Sequence, residues 1–142
     1  MLTESAEAAA TQWPDGHWRV GQAQIAVGRA LMRTDDAAAS KGPLRAGVQS
    51  YTDQLGADHQ WTRYANVTYR VAQILADDDP EARSAIDSFY ADLKNIREVQ
   101  GGVLQPGAVG QLQQLVFVLD WTGLNSDAER FRALLPEAEA GR

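Results

Sequence analysis

Apolar residues recur at three- and four-residue spacing along almost the whole of this chain, and strict alternation is missing. An α-helix returns side chains to one face about every 3.6 residues, so the pattern points to an all-α fold. The clearest stripe is Leu44, Val48, Tyr51 and Leu55, entered through Pro43 and stopped by Gly56 as a left-handed cap. A second stripe, Trp61, Tyr64, Thr68, Val71 and Leu75, predicts a helix over 59–76 with Asp58 as its cap. Asp79-Pro80-Glu81 is a strong helix start, and Ala82, Ile86, Phe89, Leu93 and Ile96 carry that helix's inner face until Gly101-Gly102.

The remaining segments are read in the same way. Residues 3–12 form a weak, alanine-rich helix, followed by a turn at Trp13-Pro14-Asp15-Gly16. Residues 18–33 place Val20, Ala23, Val27, Ala30 and Leu31 on one face, and Gly21 and Gly28 give a place where another helix can approach closely. Residues 34–42 and 103–107 read as connections. Residues 108–121 are apolar on most sides, as expected of a central helix; a short buried strand over Leu115 to Leu119 is the alternative. Ser126-Asp127-Ala128-Glu129 reads as a capping box, and Pro136 as a stop. The whole is one compact domain over 1–142, of about six or seven helices packed around 108–121. Residues 1–17 are its weakly packed N-terminal helix and turn, and 137–142 its tail.

At 142 residues the chain is long enough to hold a core without staples, and it has no cysteine. Its 13 basic against 19 acidic residues give a formal net charge of −6, which repels polyphosphates, so nucleic-acid binding is not expected. The first ten residues carry Glu4 and Glu7 and no apolar segment, and no run is long enough to span a bilayer. A cytoplasmic location without membrane contact is the expectation. Arginine and alanine usage suggests a GC-rich bacterial or phage coding sequence.

Several chemistries lack their residues. Cysteine nucleophiles, the Gly-x-Ser-x-Gly elbow, the phosphate loop and the dinucleotide fingerprint are all missing from the sequence. The two histidines, His17 and His59, fall in no two-ligand helical pattern, so neither a metal nor a cofactor is expected. Acid–base work by His59 with Asp53 and Asp58 is the only enzymatic arrangement that could be assembled. Asp77-Asp78-Asp79 reads as a polar joint in preference to a cation site. No catalytic residue is therefore assigned.

Two readings of function follow. The first is a non-enzymatic interaction protein: an accessory subunit, an inhibitor or immunity-type partner, or a homo-oligomeric scaffold. Its acidic surface suits a basic partner or a second copy of itself, and Trp13, Trp18, Arg19, Tyr69 and Arg70 are the candidate contact residues. An apolar patch around Trp13, Trp18 or Tyr69 would mark it. The alternative is a small-molecule binding or sensing domain, with a pocket lined by Trp61, Tyr64, Phe117, Asp120 and Trp121. An internal cavity with Asp120 or an arginine turned into it would mark that one. Asp120, at a helix carboxyl end, is expected to pair with an arginine.

Overall fold

A computed structural model of the chain describes residues 18–34, 36–99, 101 and 106–135. These form six helices: α1 (Trp18–Arg33), α2 (Ala37–Leu55), α3 (Gln60–Asp77), α4 (Pro80–Val99), α5 (Pro106–Trp121) and α6 (Asn125–Arg132). The described residues contain no strand, and Leu115 to Leu119 lie within α5. None of their helices is long and apolar enough to cross a membrane. The expected helix over 3–12, the turn at Trp13 to Gly16 and the tail over 137–142 lie outside the described residues.

Consecutive helices pack as pairs, α1 with α2, α2 with α3, α3 with α4 and α5 with α6, and α3 also meets α1 and α5. That makes α3 the hub. The apolar helix α5 buries Leu112, Leu115, Val116, Val118 and Leu119, yet leaves Phe117 and Trp121 exposed on its outer face. It is a core helix with one open side, and not the element that the others surround.

The boundary of α2 departs from expectation. The helix starts at Ala37, with Asp36 Oδ1 accepting from the Ala39 N–H at 3.2 Å, so residues 37–42 are helical and Pro43 lies inside the helix. A proline there has no N–H for the Ala39 carbonyl, and its ring crowds the residue before it. That preceding residue is Gly42, which has no Cβ to clash. At the far end Gly56 holds a φ of 91° with an extended ψ of 154°, and its N–H closes on the Thr52 carbonyl at 3.0 Å.

Two caps also differ. His59, not Asp58, caps α3, its Nδ1 accepting from the Trp61 N–H at 3.1 Å. The expected Ser126 capping box is replaced by a helix that begins at Asn125 with no side-chain cap. Asp127 is instead buried between two guanidiniums, with Arg83 Nη1 at 2.7 Å and Arg130 Nη2 at 2.9 Å, and Arg130 continues to Asp87 at 2.6 Å. Two charge-assisted contacts satisfy this buried carboxylate, and Arg83–Asp127 and Arg130–Asp87 tie α6 to α4. Asp79 does act as foreseen, its Oδ1 accepting from the Glu81 and Ala82 N–H groups.

The closest helix contact is that of α1 with α2, and glycine permits it. A Cβ on Gly47 would lie 2.6 Å from Ile25 Cδ1 and 3.0 Å from the Gly21 carbonyl; one on Gly21 would lie 2.9 Å from Ser50 Cβ. A methyl group on Gly28 would collide with the fully buried Leu44. Gly21, Ile25, Gly28 and Met32 therefore make the buried face of α1 together with Val20 and Val27, while Ala23, Ala30 and Leu31 are half-buried.

This contact predicts opposite signs for one chemical change. Gly28→Ala loses about 1–3 kcal/mol to overpacking, which exceeds the gain in helix propensity. Gly110→Ala in α5, where an added methyl meets nothing within 4 Å, gains about 0.5–1 kcal/mol. Urea-unfolding midpoints of the two variants check this, and equal shifts would contradict the close approach.

Candidate functional site

Helices α1 and α5 both lean on α3 but are separated from each other by a cleft of about 260 Å³. Its walls are Gln22, Ile25, Ala26 and Arg29 from α1 and Gln111 and Gln114 from α5. Tyr51 of α2 with Trp61 and Ala65 of α3 complete the lining. The rings of Tyr51 and Trp61 sit 6.2 Å apart at 52° to one another. A hydrogen bond crosses the opening, from Arg29 Nη1 to Gln114 Oε1 at 3.1 Å.

Arg29 is the charged side chain of the described lining, and its sealed Nε is a feature it shares with Arg70 and Arg97 elsewhere in the fold. It is half-buried, its Nε is sealed from solvent without an acceptor, and the described residues offer it no carboxylate. Loss of solvent lowers its pKa from the ordinary arginine value, an effect partly offset by the nearby Tyr51 hydroxyl. A guanidinium remains charged at any physiological pH, so the cleft carries one fixed positive charge. Burial in turn raises the Tyr51 pKa, against the opposing pull of Arg29. The hydroxyl stays neutral and can donate or accept.

The residues nominated from sequence are not brought together as one pocket. Trp61 lines the cleft. Tyr64 is buried beneath it in the core, its ring edge-on to Phe89 at 5.0 Å. Phe117 and Trp121 stack at 6.4 Å on the exposed side of α5, with the Arg33 guanidinium 4.4 Å above the Trp121 ring. Asp120 has the expected arginine, Arg132 Nη2 at 2.5 Å, and faces outward.

The nominated contact residues are similarly dispersed. Arg19 is exposed; the side chain of Trp18 and all of Trp13 lie outside the described set. Tyr69 is half-buried against the core and accepts from Gln73 Nε2 at 3.2 Å, while Arg70 donates to Gln73 Oε1 at 2.9 Å. His59 is committed to capping, and Asp53 accepts from Gln49 Nε2 at 2.9 Å, so the three groups of the acid–base arrangement do not converge. The acidic triplet is divided among three tasks: Asp77 pairs with Lys41 at 2.6 Å, Asp78 takes the left-handed position at φ 50°, and Asp79 caps α4. No group of three or more potential metal ligands occurs among the described residues.

Sequence reasoning missed Arg29, Gln22, Gln111, Gln114 and Tyr51 as cleft residues. The available signal was weak: Gln22, Ala26 and Arg29 recur at helical spacing beside the buried face of α1, as Gln111 and Gln114 do on α5. No protein-family model matches the chain, and comparison with curated proteins and with solved structures gives no match.

A second cleft of about 400 Å³ lies between α2, α3 and α4. Its two charges, Arg63 and Asp92, already neutralise one another at 3.0 Å.

Tyr64 provides a test of how dry the adjoining core is. Its hydroxyl is buried with no hydrogen-bond partner, and burial holds its pKa well above the ordinary tyrosine value. Tyr64→Phe removes an uncompensated polar atom, so stability should hold or rise by about 1 kcal/mol. The sign with pH follows. The wild type should lose stability above about pH 10 as the unfolded tyrosine ionises and the folded one does not, and the variant should lose less. Thermal melts of both proteins between pH 7 and 11 measure it; a destabilised variant would mean that the hydroxyl is hydrogen-bonded.

Proposed function

We propose that this chain is a small-molecule binding domain whose site is the cleft between α1 and α5. The observation that carries the reading is Arg29, a largely desolvated cation without a carboxylate partner among the described residues, turned to a space bordered by amide and aromatic side chains. Removing a guanidinium from water costs free energy unless something compensates it, and an incoming ligand supplies that compensation. Small-molecule sites combine a hollow with a few convergent polar groups that fix orientation, and this cleft is polar on the glutamine and arginine side and aromatic on the other. The cleft's volume of about 260 Å³ lies just below the range of about 300–1,000 Å³ common to small-molecule pockets, which points to a small ligand.

The interaction reading keeps one specific support. Phe117 and Trp121 are 56% and 46% exposed, side by side and next to Arg33, a composition enriched at protein contacts. This pair adjoins the cleft along α5, so a partner protein there would meet the same face.

The test is a fragment screen in which binding is read from tryptophan emission, with Ala26→Leu as the control. Ala26 is exposed and borders the cleft, so leucine there fills space without entering the core. Ligands of the cleft should bind saturably, compete with each other and lose at least tenfold in affinity in the variant. Hits that are indifferent to Ala26→Leu would remove the support for this site.

A further inference from the structure

Building on the cleft reading, we infer that the ligand is a small monocarboxylic acid with a flat apolar body, its carboxylate held by Arg29 and its body against Tyr51 and Trp61. The charge count of the lining argues first. Among the described residues of the lining Arg29 is the sole ionisable side chain besides Tyr51, and the other polar groups named there are the amides of Gln22, Gln111 and Gln114 and the Trp61 indole. The cleft therefore offers one positive charge, to be matched by one negative charge. A neutral ligand would strip the remaining water from the guanidinium and return no charge for it, and a cation would be repelled.

Geometry argues next. A guanidinium has five donors in a planar fork that fits a carboxylate, and Gln114 occupies one of them. The amide groups of Gln111 and Gln22 can supply further donors to the same two oxygens. A phosphate dianion needs a second cation or free backbone N–H groups, and the described lining supplies neither. The lining residues of α1 and α5 begin at Gln22 and Gln111, past the first four N–H groups of each helix, which alone lack internal partners. The Trp61 N–H, in the first turn of α3, is taken by His59 Nδ1.

The apolar half of the lining selects the body. Tyr51 and Trp61 pack against one another at 52°, and with Ile25, Ala26 and Ala65 they make an aromatic and aliphatic wall on which a flat apolar body can lie. A cleft of about 260 Å³, at the small end of ligand pockets, suits an acid with a single ring. Benzoate and 3-phenylpropanoate have the required shape.

The experiment titrates four probes into the ¹⁵N-labelled chain and follows backbone and side-chain resonances: benzoate, benzamide, benzylamine and phenyl phosphate. Benzoate should shift the Gln111, Gln114, Arg29 and Trp61 signals saturably and bind at least tenfold more tightly than each of the others. Arg29→Gln should bring benzoate and benzamide within threefold of each other, and Arg29→Lys should retain part of the preference. Where Arg29→Gln fails to fold, the wild-type ratios decide alone. Benzamide equal to benzoate, or phenyl phosphate tighter than it, would overturn the carboxylate assignment while leaving a ligand-binding cleft. Silence of the cleft resonances to all four probes would overturn the cleft reading as well.

Discussion

The approach of α1 to α2 through Gly21, Gly28 and Gly47 is the constraint on which the rest of the arrangement depends. Without side chains at these positions the two backbones come close enough for the Gly21 carbonyl to face Gly47, and Leu44 and Ile25 interlock around them. Dispersion and burial over a contact this tight hold α1 at a fixed height on α2 and α3. With α1 drawn to that side and α5 packed on α3 and α6, the space between α1 and α5 is left unfilled. The cleft is thus a consequence of where the glycines pull α1, and the Arg29–Gln114 hydrogen bond crosses it.

The ionic pattern supports reading that space as a site. The chain has more acids than bases, 19 against 13, so carboxylates are in surplus. Several other arginines use them, Arg63 with Asp92, Arg83 and Arg130 with Asp127, Arg132 with Asp120, while Arg70 donates to Gln73. Arg29 faces glutamines. In a structural role, a half-buried guanidinium is ordinarily satisfied by a carboxylate or several carbonyls, since an uncompensated one weakens the fold. Carrying that cost is sensible where an anion arrives from outside.

Much of the fold was legible in the sequence, and the exceptions have identifiable causes. The bounds of α1, the start of α4 and the close approach at Gly21 and Gly28 followed from periodicity, an N-cap acid and missing Cβ atoms. The first six residues of α2 were hidden because proline in a helix interior is normally excluded, and only the preceding Gly42 makes it tolerable. The ion pair that seats α6 on α4 was hidden because Asp127 meets Arg83, 44 residues away. The cleft was illegible for the same reason. Whether Arg29 is buried and what it faces depends on Gln114, 85 residues distant, and on Tyr51 and Trp61 from two other helices. Local spacing places residues on faces but does not say which faces stay apart. Phe117 and Trp121 show the converse, since apolar residues on an apolar helix were read as pocket and stand on the outside.

The most direct test of the account is native mass spectrometry of the chain recovered gently from the cells that make it, with the wild type compared to Ala26→Leu. The account predicts that the wild type carries a small acid of at most a few hundred daltons that the variant lacks. A second polypeptide at fixed stoichiometry on both proteins, with no small molecule on either, would contradict it and assign the Phe117–Trp121 face to a protein partner.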